Sequence, residues 1–128
     1  MEKAKIIETL GLISGGSFFI TEVLLLQWGR ELEFEFDYQT VQPDGTPDAA
    51  VTFMLIFRDC RDFKWRSYAH IALSEMGDIA LRTELVEIAF GQGNHRRDAN
   101  LLTNHFAATL SYGDVVVDYH DQFYPLSR

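Results

Sequence analysis

Residues 31–38 read E-L-E-F-E-F-D-Y, polar and apolar in unbroken alternation. Successive side chains of a strand point to opposite faces, so Leu32, Phe34, Phe36 and Tyr38 share one side. Glu31, Glu33, Glu35 and Asp37 share the other. One side is buried and the other meets water or a basic partner. This is the pattern of an antiparallel sheet that is wet on one face.

The rest of the chain is consistent with that class. Residues 2–12 suit a short amphipathic helix with Ala4, Ile7, Leu10 and Ile6 on its apolar side, ended by Gly11 and the Ser-Gly-Gly-Ser run at 14–17. Residues 18–28 are rich in branched and aromatic side chains and predict a strand. A bulged turn at Gly29-Arg30 would set Leu24, Leu26 and Trp28 on the side of Leu32, Phe34 and Phe36. Pro43, Asp44-Gly45 and Pro47 mark an exposed loop. Further strands are predicted over 50–57, 63–69 and 78–90, with a change of face near Thr83 or Leu85. Residues 69–77 are ambiguous, and 91–100 read as a polar loop. Residues 103–112 and 115–119 predict a closing hairpin about Gly113-Asp114. Trp28 and Trp65 are expected to anchor the core. The sum is a mainly β (α+β) chain: an antiparallel curled sheet or incomplete barrel of five to seven strands with one short N-terminal helix. A helix laid on a sheet in two layers is the near alternative.

Composition narrows the function classes. At 128 residues and 47% apolar, the chain fits one domain, 1–128, with a sizeable core. Its net charge of −8 repels phosphate backbones and argues against nucleic acid as a partner. No stretch approaches the run of about 20 apolar residues that a membrane helix needs. Lone Cys60 suits a reducing compartment, so a cytoplasmic protein is expected.

Four constellations are candidates for chemistry. The acidic ladder is the first: six acids and no Lys or Arg lie between Glu31 and Phe57. It is either a solvated face, helped by Arg58, Arg61, Lys64 and Arg66 through cross-strand ion pairs, or a patch that docks a basic protein. The second is the stretch Gly91 to Asp98, where His95, Arg96 and Arg97 could surround a small anion. It lacks both the dinucleotide fingerprint and the Gly-Lys-Ser/Thr of a P-loop, and an ordinary polar connection is the simpler account. The third follows from the predicted final hairpin, which would make His105 and His120 diagonal neighbours with Asp118 on the same face. Two His and one Asp could ligate a metal, but no third strong ligand joins them, so no metal or other cofactor is specified. The last is a set of lone nucleophiles. Cys60 lies between Asp59 and Arg61 and is expected to pack as a buried thiol, and Tyr68 and His70 are expected to be packed side chains.

The order of three stretches, 18–38, then 51–65 with its F-R-D-C-R-D-F-K-W, then 79–90 leading to Tyr112-Gly113, resembles small β-rich bacterial proteins of unknown function and immunity proteins of the immunity protein 50 type. The resemblance implies a non-enzymatic module that binds and blocks a partner. The expected function is therefore a binding module that meets a basic protein through Glu31, Glu33, Glu35 and Asp37. Two alternatives stay open: a ligand-binding or enzymatic barrel using the 91–100 loop on a small anion, and a homodimeric structural protein.

Overall fold

The computed structural model describes residues 2–67, 83–91 and 97–126. Among these residues a helix, α1 (Glu2–Leu10), precedes nine strands. These are β1 (Ser17–Leu26), β2 (Glu31–Gln39), β3 (Val51–Arg58), β4 (Arg61–Ser67), β5 (Thr83–Phe90), β6 (Arg97–Thr103), β7 (Phe106–Tyr112), β8 (Asp114–Tyr119) and β9 (Gln122–Pro125). They form one antiparallel sheet in the order β4-β7-β6-β5-β1-β2-β3-β8-β9. The sheet is not closed into a barrel: β4 and β9 are its edges. The mainly β, curled-sheet expectation holds, with nine strands where five to seven were expected. The ambiguous 69–77 segment, Tyr68 and His70 lie outside the described residues.

Two bends curl the sheet. β3 passes into β4 through Asp59 and Cys60, and β7 passes into β8 through Gly113. β3 pairs with β8 while β4 pairs with β7, so the two ribbons bend together. At this corner the Gly113 N–H donates to the Arg58 carbonyl and the Cys60 N–H to the Arg30 carbonyl. A Cβ on Gly113 would stand 3.1 Å from the Asp59 carboxylate, which explains the glycine. The predicted hairpin between 103–112 and 115–119 is therefore corrected. Gly113-Asp114 is a corner rather than a tight turn, and β7 lies beside β6 and β4. The true hairpin turn is at 104–105, where the Thr103 hydroxyl accepts the N–H groups of His105 and Phe106. Likewise, the polar 91–100 stretch is not all loop, since β6 begins at Arg97 and pairs along its length with β7.

The core lies on the concave side. Phe18, Leu32, Phe34, Phe36, Tyr38, Phe53, Leu55 and Phe57 are buried in one cluster with Leu85, Ile88, Leu101, Leu110 and Tyr112. Phe36 stacks on Phe53 at 5.2 Å, and Phe18 meets both edge-on. From α1 it is Ile6 that is fully buried, with Ile7 and Leu10 at the margin, while Ala4 is exposed. The helix ends where Leu12 N–H reaches back to the Ile7 carbonyl over Gly11 at φ +66°. Glu2 accepts the Phe90 N–H and Lys5 donates to the Leu126 carbonyl, which ties α1 to both halves of the sheet.

Candidate functional site

Strand β2 behaves as its alternation demands. Leu32, Phe34, Phe36 and Tyr38 are buried, and Glu31, Glu33, Glu35 and Asp37 lie half-exposed on the convex side. The register then shows what surrounds each acid. One row across the sheet is Leu26, Glu31, Arg58 and Asp114. The next is Leu24, Glu33, Ile56, Val116 and Pro125. The third is Glu22, Glu35, Met54, Asp118 and Phe123, and the last is Phe19, Asp37 and Thr52. The convex face of β1, β2, β3, β8 and β9 is thus a checkerboard of carboxylates and apolar groups, with Ile56 and Val116 buried, Leu24, Leu26 and Phe123 reaching solvent, and Arg58 its one cation among the described residues.

Leucines 24 and 26 belong to this face and not to the core, contrary to the bulged-turn expectation. The irregularity sits inside β1, between Ile20 and Glu22, rather than in the turn. It reverses the phase of the strand. Phe18 and Ile20 point inward, Val23 pairs with Phe34, and Leu24 and Leu26 face Glu33 and Glu31. The hydroxyl of Thr21, at the bulge, donates to Glu35 Oε1 at 2.6 Å.

The carboxylates are unequally satisfied. Asp37 accepts from the Thr52 hydroxyl and Glu35 from Thr21. Glu31 faces Arg58, whose guanidinium also stands 3.9 Å from Asp114 and lies over the Phe123 ring at 5.4 Å. Burial pushes the Glu33 carboxyl above its ordinary 4.5, and the hydrogen bond and charge of Glu31 and the charge of Asp118 push it further, while Arg58 pulls it back. Glu22 faces Glu35 directly, and like charges so placed destabilise a sheet. The ion pairs expected with Arg61, Lys64 and Arg66 do not form, because β4 lies at the far edge of the sheet, beside β7. Among the described residues, the acids of β2 make no ion pair within 4.0 Å.

At one end of this face the β1–β2 hairpin projects Trp28. Its side chain is 104% exposed, with Leu25 at 57% and Leu26 at 37% beside it in sequence. Trp28 is therefore not a core anchor. Gln27, Trp28 and Gly29 all have positive φ, at 52°, 61° and 90°. The base of the tip is held by the Arg30–Asp59 ion pair at 3.0 Å and by the Cys60 N–H on the Arg30 carbonyl. Trp65 is 43% exposed and stacks on Phe106 at 3.9 Å, so it lies at the margin of the core. Cys60 is buried and its thiol donates to the Phe57 carbonyl, as its composition-based reading expects.

The remaining candidates are not brought together. His95 and Arg96 lie outside the described residues. Arg97 sits opposite Tyr112 in the β6–β7 ladder, and burial raises the phenol pKa above 10.0 against the pull of the Arg97 charge. His105 is in the β6–β7 turn. His120 is in the β8–β9 turn at φ +53°, its ring tilted 44° against that of Tyr119 with the centroids 4.0 Å apart. Asp118 faces the acidic strip instead. With no β7–β8 pairing, the diagonal contact between the two histidines is lost. No group of three metal-binding side chains occurs among the described residues.

A sheet face of acids and oily groups has two parts that sequence reasoning missed: the leucines of β1 and the row Ile56, Val116, Pro125. The signal for the second was the V-V-V run at 115–117, which is apolar on both faces of β8. No helix among the described residues is long and apolar enough to cross a membrane. No family model matches the chain, and no curated protein matches it. Among solved structures, it is similar to the crystal structure of an uncharacterized protein from Neisseria gonorrhoeae, with 12% sequence identity and a TM-score of 0.49 over 81% of this chain and 92% of that one.

Proposed function

We propose that this protein is a binding module that docks a basic protein through the convex face of β1, β2, β3, β8 and β9, with Trp28 as the anchor at its rim. The carrying observation is the interleaving. A face meant only for water has no use for Leu24, Leu26 and Phe123 between its carboxylates, all three of which reach solvent. A docking face uses both. Apolar groups supply the contact energy, and the charges choose the partner and speed its approach. An exposed Trp held on a braced turn is the kind of residue that dominates interface energetics. The repulsion around Glu33 fits the same reading, since functional faces are often kept at a cost in stability. A basic toxin domain is the partner class that the resemblance to immunity proteins implies.

The test is a two-site variant, Glu33→Lys with Asp118→Lys, assayed against the partner purified with the native protein. Both side chains point outward, so the fold should persist. The dissociation constant should rise about 100-fold, with most of the loss in a charge-steered association rate that falls as salt is raised. Unchanged affinity removes the proposal.

A further inference from the structure

The opposite half of the sheet carries a surface of complementary character. Across β5, β6, β7 and β4 the convex rows are Glu87, Leu102, Ala107 and Arg66, then Ala89, Asn100, Thr109 and Lys64. Asp98, Ser111 and Arg61 follow. The small side chains leave a hollow of ≈ 390 Å³ lined by Glu87, Ala89, Asn100, Leu102, Ala107 and Thr109. Thr109 donates to Asn100 Oδ1 at 3.0 Å across its floor. Arg61, Lys64 and Arg66 are exposed along the strand beside it. The hollow is shallow and open, so it cannot enclose the 70–90% of a free small molecule's surface that ligand pockets typically bury. Its occupant is instead a side chain projecting from a larger body, and the basic strand next to it calls for acids around that side chain.

The chain itself offers such a body. Trp28 projects fully from the β1–β2 tip, flanked by Leu25 and Leu26, and the carboxylates of Glu31 and Glu33 follow within five residues. We infer that the hollow on β5–β6–β7 receives the Trp28 tip of a second copy of this chain, with Glu31 and Glu33 set against Arg66 and Lys64. The contact goes beyond the docking of a basic protein and shares Trp28, Glu31 and Glu33 with it, so self-association and capture of that partner exclude one another. The net charge of −8 opposes approach at long range, but at physiological ionic strength that repulsion is screened beyond about 8 Å, which leaves the local complementarity to act.

Sedimentation velocity of the full chain over rising concentration tests it. The wild-type protein should sediment above the 14.7 kDa of one chain. Trp28→Ala loses the plug, and Ala107→Arg blocks the hollow. Each alone should weaken self-association about 30-fold or more. Mixed together they should reassociate, because each keeps the half that the other lost. Arg66→Glu provides a second hollow-side variant should Ala107→Arg melt early. A wild-type protein at 14.7 kDa at every concentration, an assembly indifferent to these substitutions, or a mixture that stays monomeric overturns the inference. The reading of the acidic face fails separately: there a foreign basic partner would bind the Glu33→Lys, Asp118→Lys variant as well as it binds the wild type.

Discussion

Trp28 sits at φ 61° and ψ 29°, a left-handed conformation that costs a side chain with a Cβ about 1–2 kcal/mol. Nothing in the fold recovers that cost through the indole, which is fully exposed. Removing it should accordingly leave the fold alone. Trp28→Ala should change the unfolding free energy in urea by no more than about 0.5 kcal/mol, while partner binding falls. Glu33 is the second informative residue. Its carboxyl titrates above 4.5 in the folded protein, so the native state holds its proton to higher pH than the unfolded chain does. The unfolded state then binds fewer protons between the two values, and this group's contribution to stability falls as pH rises through that window. Glu33→Gln removes the penalty. It should raise the melting temperature at pH 7 and leave it nearly unchanged at pH 4, where wild-type Glu33 is mostly protonated. An equal effect at both pH values would count against the crowded-carboxylate account.

At the scale of elements, β2 was legible as a strand and in its facing, whereas β1 was legible only as a strand, and the reason is physical. The alternation of β2 has one phase from Glu31 to Gln39, and its buried side follows from the aromatic residues alone. In β1 the phase changes at Thr21, and a run of three leucines carries no polar marker to reveal the switch. Thr21→Val should therefore cost about 1–2 kcal/mol, because it removes the hydroxyl that Glu35 accepts beside Glu22. Phe34→Ala, in the phase that was legible, should cost about 3–5 kcal/mol as a buried aromatic. Chemical denaturation measures both. The Gly113 corner was misread for a related reason. A glycine followed by aspartate between two apolar strands is equally at home in a tight hairpin and in a bend that needs close backbone approach. Only the partner strands, β3 and β4, decide between them, and they lie more than 40 residues earlier in the chain. The metal candidates fell with that hairpin. The acidic ladder did not, since its placement depends on β2 alone.

At the largest scale, the two flanks of the sheet differ in charge among the described residues. The convex face of β1, β2, β3, β8 and β9 carries Glu22, Glu31, Glu33, Glu35, Asp37, Asp114 and Asp118 against Arg58, whereas the far edge strand carries Arg61, Lys64 and Arg66 against Asp62. Such a distribution orients the protein as it nears a charged partner. It also sets acids beside acids where a sheet built for stability alone would alternate their sign. Stability and binding should therefore move in opposite directions on this face. The most direct measurement takes the Glu33→Lys, Asp118→Lys variant and reads its melting temperature and its affinity for the copurified partner together. A melting temperature at or above wild type is expected, with affinity reduced about 100-fold. A variant that keeps wild-type affinity while its fold is intact would contradict it.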